Sequence, residues 1–129
     1  MNSLEQFLAL PDVDDITEEV HVSDRLGDFV VKAMTPDDFK EYQRKAGAKT
    51  TKKGTEFDTT KFFVAMVAGQ TVEPDFANAE LLKKCNCITP EELVSKKLLM
   101  GEITKLASKI QELSGFGTDQ AEDIEEAKN

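Results

Sequence analysis

The sequence predicts an α+β fold: a mostly helical single domain with an N-terminal β-hairpin and a flexible acidic C-terminal tail. Three observations lead there. Residues 17–22 and 29–34 alternate apolar and polar side chains around a polar connection, the period of two that marks paired strands. Beyond residue 35 the apolar residues fall at helical spacing, punctuated by two helix starts, Thr35-Pro36-Asp37-Asp38 and Thr89-Pro90-Glu91-Glu92. Residues 118–129 carry Asp119, Glu122, Asp123, Glu125 and Glu126 against Lys128. The domain is therefore placed at 1–117 and the tail, frayed or disordered in the free protein, at 118–129.

Taken in order, residues 3–10 read as a short helix with Ser3 as cap and Leu4, Phe7 and Leu8 on one face, closed by Pro11. In the hairpin, Val20 and Val22 share a face, and Ser23 to Asp28 supply the turn. Two strands alone are marginal in water, so the hairpin must pack on helices or pair with another edge. The first Thr-Pro start opens a helix to about Ala46, with Phe39 and Tyr42 inward and Gly47 ending it. Residues 48–56 read as flexible. Asp58 or Thr59 then caps a segment, Phe62 to Ala68, that is apolar on every side and so belongs deep in the core. Residues 72–76 form an extended bridge, and Asn78 caps a short helix through Lys84. The second start opens one helix of about 25 residues, roughly 37 Å if unbroken. Gly101 lies inside it, a place for a bend, and Gly115 ends it with Phe116 folding back.

Composition narrows the function. The chain has 129 residues, 16 basic and 25 acidic, for a net charge of −9. A surface of that sign argues against general nucleic-acid binding, which needs clustered positive charge. No apolar run approaches the ~18 residues of a membrane span, and no basic-then-apolar leader opens the chain. Two cysteines in Cys85-Asn86-Cys87 make no disulfide framework, so a cytoplasmic location is expected.

Catalytic signals are weak. His21 is the single histidine and sits on the polar face of a strand; no nucleophile elbow or His-Glu-x-x-His helix is present. Cys85 and Cys87 supply two soft ligands where zinc needs three or four, so no metal and no cofactor is expected. Gly47-Ala48-Lys49-Thr50 lacks the spacing of a phosphate loop and follows a helix instead of a strand. The acid pairs Asp14-Asp15 and Asp37-Asp38 fit turns and first helical turns. Lys40, Arg44, Lys45, Lys49, Lys52 and Lys53 surround one acid, Glu41, and read either as a solvated face or as a steering patch for an acidic partner.

One pattern points to binding. Leu99, Ile103, Leu106, Ile110 and Leu113 recur in steps of four, three, four and three, the spacing of a helix–helix seam. They form either the core face of an amphipathic helix or a face offered to another helix. With Phe116 they are the candidate partner-binding residues; no catalytic residue is assigned.

Leu4-Glu5-Gln6-Phe7-Leu8, Thr17-Glu18-Glu19-Val20, Val31-Lys32-Ala33-Met34-Thr35, Pro74-Asp75-Phe76 and Ala79-Glu80-Leu81 follow one another in a recognisable order. Thr89-Pro90-Glu91-Glu92, Gly101-Glu102-Ile103 and Leu113-Ser114-Gly115-Phe116 complete it. In order and spacing together they resemble the XkdN-like phage tail assembly chaperones of Gram-positive phages and prophages. The Cys-Asn-Cys triplet is outside that pattern. The resemblance implies a non-enzymatic protein that binds the tape-measure protein, and also the tail-tube protein, keeping the former soluble while the tube polymerises. It leaves a homo-oligomer open and involves neither nucleic acid nor membrane. It also implies a longer frameshifted form, for which Ala127-Lys128-Asn129 would need a slippery run such as A-AAA-AAC in its codons. Two further classes share the size and charge: a small acidic secretion-type chaperone and a structural tail component.

Overall fold

The computed structural model describes residues 2–116. The order is helix α1 (Ser3–Leu8), a 3-10 turn (Val13–Asp15), hairpin strands β1 (Thr17–Ser23) and β2 (Gly27–Lys32), and helix α2 (Pro36–Lys45). A small hairpin of β3 (Lys49–Thr51) and β4 (Gly54–Glu56) follows, then α3 (Thr59–Gln70), β5 (Thr71–Glu73), α4 (Ala79–Lys84), α5 (Pro90–Lys97) and α6 (Met100–Leu113). The predicted mixture of helix and strand in one small domain, with a hairpin near the N-terminus, is what the structure has. The acidic tail expected at 118–129 lies outside the described residues.

The hairpin does both things expected of it. β1 and β2 pair antiparallel with Val20 opposite Phe29, and Gly27 adopts a left-handed φ of 76° to close the turn. Val20, Val22, Phe29 and Val31 are buried beneath α6. The other edge of β2 pairs with β5, giving a three-stranded antiparallel sheet in the order β1-β2-β5. The bridge expected at 72–76 thus begins as a strand, because its backbone groups meet the open edge of β2.

α3 is the central helix, touching α2, α5 and α6. Phe62 and the whole run Val64–Ala68 are buried, as a helix apolar on every side requires. Asp58 is its cap, accepting from Lys61 N at 3.1 Å. At its far end the buried Gln70 accepts from Tyr42 Oη and donates to the Ala33 carbonyl at 2.8 Å, so α2, α3 and the end of β2 share one polar knot. Burial there pushes the Tyr42 hydroxyl above its ordinary pKa.

Four expectations change. The cap of α1 is Asn2, which accepts from Glu5 N at 2.8 Å, and the apolar face of this helix is not covered: Leu4, Phe7 and Leu8 are 65–75% exposed. Residues 48–56 are an exposed two-stranded hairpin, built on the fully paired register Lys49–Glu56 to Thr51–Gly54. The single long helix from Thr89 is two, separated by Leu98 and Leu99 in extended backbone. The break is held from outside the helix. Arg25, on the hairpin turn, donates to the Lys97 carbonyl at 2.9 Å, satisfying the end of α5. Glu102 accepts from Leu99 N at 2.7 Å, satisfying the start of α6. Gly101 falls in the exposed first turn of α6, with no bend of its own.

Candidate functional site

The sequence-predicted seam is divided by this geometry. Ile103 is 4% exposed, and Leu106 and Ile110 are sealed completely, facing α3 and the hairpin. Leu99 is 62% exposed on the linker ahead of α6, and so not on its helical face. Leu113 and Phe116 are half-buried at the opposite end. Three of the six residues are core, Leu99 is exposed beside Met100, and of the two at the far end Phe116 lines an open groove.

That groove lies between the start of α2 and the end of α6, with a volume of about 490 Å³. Thr35 and Asp38 cap each other's backbone at 3.1 and 3.0 Å, and Pro36 begins the helix. This rigid start aims Phe39 at the groove one turn later. On the other wall α6 ends at Gly115, whose φ of 94° turns the chain back, and Phe116 N donates to the Gln111 carbonyl at 3.0 Å. The Phe116 ring then rests on Phe39, with centroids 5.6 Å apart. The walls are joined by Ser114 Oγ, which accepts from Met34 N at 2.8 Å and donates to the Ile110 carbonyl.

The lining is mainly apolar (Met34, Pro36, Phe39, Phe116), with Asp37, Lys40 and Gln43 at the rim. Phe39 also meets Phe62 edge to face at 5.4 Å, and Phe62 meets Phe57 at 4.9 Å. The floor is thus an aromatic cluster continuous with the core, and its rings are fixed by packing. An open apolar trough with a few polar groups at its edge suits the apolar stripe of a helix. Sequence reasoning located Phe116 but missed Met34 and Phe39 as its companions. The Thr-Pro start beside Phe39 was visible; its proximity to residue 116 was not.

The remaining candidates have structural partners. His21 is exposed between Asp28 at 2.8 Å and Asp24 at 3.4 Å, and these two carboxylates raise its pKa. Cys85 and Cys87 are unpaired, and Cys87 is buried beside the Cys85 carbonyl. No group of three or more metal-ligating side chains is gathered among the described residues. In the basic stretch, Arg44 pairs with Glu41 and Lys45 with Glu91 at 2.7 Å. None of the described helices is long and apolar enough to cross a membrane.

The most elaborate polar arrangement is a clasp. Glu102 is buried and accepts from Ser23 Oγ at 2.6 Å, from Arg25 and from Leu99 N. The Arg25 guanidinium, then the Ser23 hydroxyl, hold its carboxyl down to about 2. With both oxygens engaged, it locks the hairpin turn to α6.

Comparison with known proteins gives three findings. Residues 4–128 match the family described as Phage XkdN-like tail assembly chaperone protein. The chain is 26% identical over 106 residues to the Phage-like element PBSX protein XkdN of Bacillus subtilis (strain 168), covering 78% of this chain and 72% of that one. The crystal structure of the protein yqbn superposes with a TM-score of 0.67 at 26% identity, covering 91% of this chain and 99% of that one.

Proposed function

Matched along nearly its whole length, this chain belongs to the XkdN-like phage tail assembly chaperones, and we propose that it acts by holding the tape-measure protein soluble until tail-tube subunits replace it. It works by binding, without catalysis, in the cytoplasm of the bacterial host. The observation that carries this reading is the open trough framed by Phe39 and Phe116. A long helical protein exposes apolar stripes that drive aggregation, and covering them with a charged protein suppresses it. A trough of this size grips one short stretch of helix weakly. Many copies along one chain therefore hold it securely yet leave stepwise as the tube grows. Of the residues singled out from the seam, Phe116 lines the trough with the half-buried Leu113 close behind it in sequence, Ile103, Leu106 and Ile110 support it from the core, and Leu99 stands away from it at the other end of α6.

The test is co-expression with the long helical protein encoded downstream. The expected result is that the partner becomes soluble and co-purifies with wild-type protein, and that Phe116→Asp, checked for an unchanged circular dichroism spectrum, releases it. A partner that stays insoluble beside folded wild-type protein overturns the proposal.

A further inference from the structure

Two of the uncovered apolar surfaces in the described fold are complementary. One is the trough between α2 and α6. The other is α1, a six-residue helix none of whose residues is buried, with Leu4, Phe7 and Leu8 on one face and Leu10 just beyond. A helix this short gains almost nothing from its own backbone bonds in water, so its stability has to come from covering that face. Leu4, Phe7 and Leu8 have the one-turn spacing with which an amphipathic helix enters an apolar trough. Glu5 beside them matches Lys40 on the trough rim, which has no carboxylate partner among the described residues.

The tether from α1 enters the body at the trough wall. The chain leaving α1 re-enters the body where the Ile16 carbonyl accepts from Ala33 N at 2.9 Å, next to Met34 on the trough wall. When a protrusion and its receptor are neighbours on one molecule, a two-fold axis between them lets each copy fill the other's trough. Reciprocal exchange uses the contact twice, which brings the buried area toward the ~1,200–2,000 Å² of a stable interface.

We propose that α1 of one copy docks in the α2–α6 trough of a second copy, so that the free protein is a two-fold dimer. This rests on reading the trough as a helix-binding site, and it makes the dimer a storage form that the tape-measure helix opens by competing for the same place.

Sedimentation velocity on the full chain across the micromolar range tests it. Wild-type protein is expected to reach twice the monomer mass, and the Phe7→Asp/Leu8→Asp double variant to stay monomeric while still unfolding cooperatively, because both residues lie outside the core of the protomer. Phe116→Asp is expected to be monomeric as well. A wild-type monomer throughout, or a dimer that persists in the α1 variant, overturns the inference. The downstream partner separates this from the function itself. The α1 variant keeps an intact trough and should still solubilise that protein; if it does while wild type never dimerises, only the dimer is lost.

Discussion

Glu102 shows how one side chain can carry a tertiary junction. Its depressed pKa means that its contribution to stability is complete above the ordinary carboxylate value of 4.5 and is lost as pH falls toward about 2. Urea midpoints measured from pH 7 to pH 2.5 should therefore show wild type well above Glu102→Gln at neutral pH, with the gap closing below pH 4.5. A gap that stays constant would place the effect in packing. Gly69 is the second such residue. A Cβ there would lie 2.7 Å from Tyr42 Cζ and collide with its hydroxyl, which is already committed to Gln70. Gly69→Ala should cost about 1–3 kcal/mol, the usual range for overpacking, despite alanine's better helix propensity; chemical denaturation reads this directly. Neither role is visible in the sequence. Arg25 and Glu102 are 77 positions apart, and Tyr42 and Gln70 are 28 apart, so no local pattern connects them.

At the scale of elements, local chemistry was the legible part. Thr35, Asp58, Asn78 and Thr89 all cap the helices that the sequence predicts from them, because a cap needs only its own next three residues. The misjudged elements depended on distant partners. The heptad-like run from Leu99 to Leu113 continues smoothly through a point where the chain is in fact extended, since periodicity cannot register the carbonyl that Arg25 takes. The consequence is measurable. Ile110→Ala, at a fully sealed position, should lose about 2–5 kcal/mol, whereas Leu99→Ala should stay within about 0.5 kcal/mol of wild type. Equal losses at the two positions would contradict the break between α5 and α6. Flexible as the sequence predicts them, residues 48–56 are instead a hairpin, its turn held by Thr51 Oγ1 and its base closed by Asp58 N donating to the Ala46 carbonyl, contacts that no local pattern announces. The candidate site was half legible for the same reason. Phe116 was marked by its position after a helix-ending glycine, whereas Phe39 faces it only because α2 and α6 converge.

For the whole molecule, the net charge is −9, and the described residues present an apolar trough and an uncovered helix. Its open three-stranded sheet adds a constraint of another kind. A sheet with free edges is a template onto which another extended chain can pair. Here the edge strand β1 carries Glu18, paired with Lys109 of α6, and Glu19 on the opposite face, with a register irregularity between His21 and Ser23, and β5 stops after three residues at Pro74, which has no amide hydrogen to give. Charge and irregularity on one edge and shortness on the other blunt both against backbone pairing. An extended chain meeting these two edges finds little backbone to pair with, so growth of this sheet by strand addition is disfavoured.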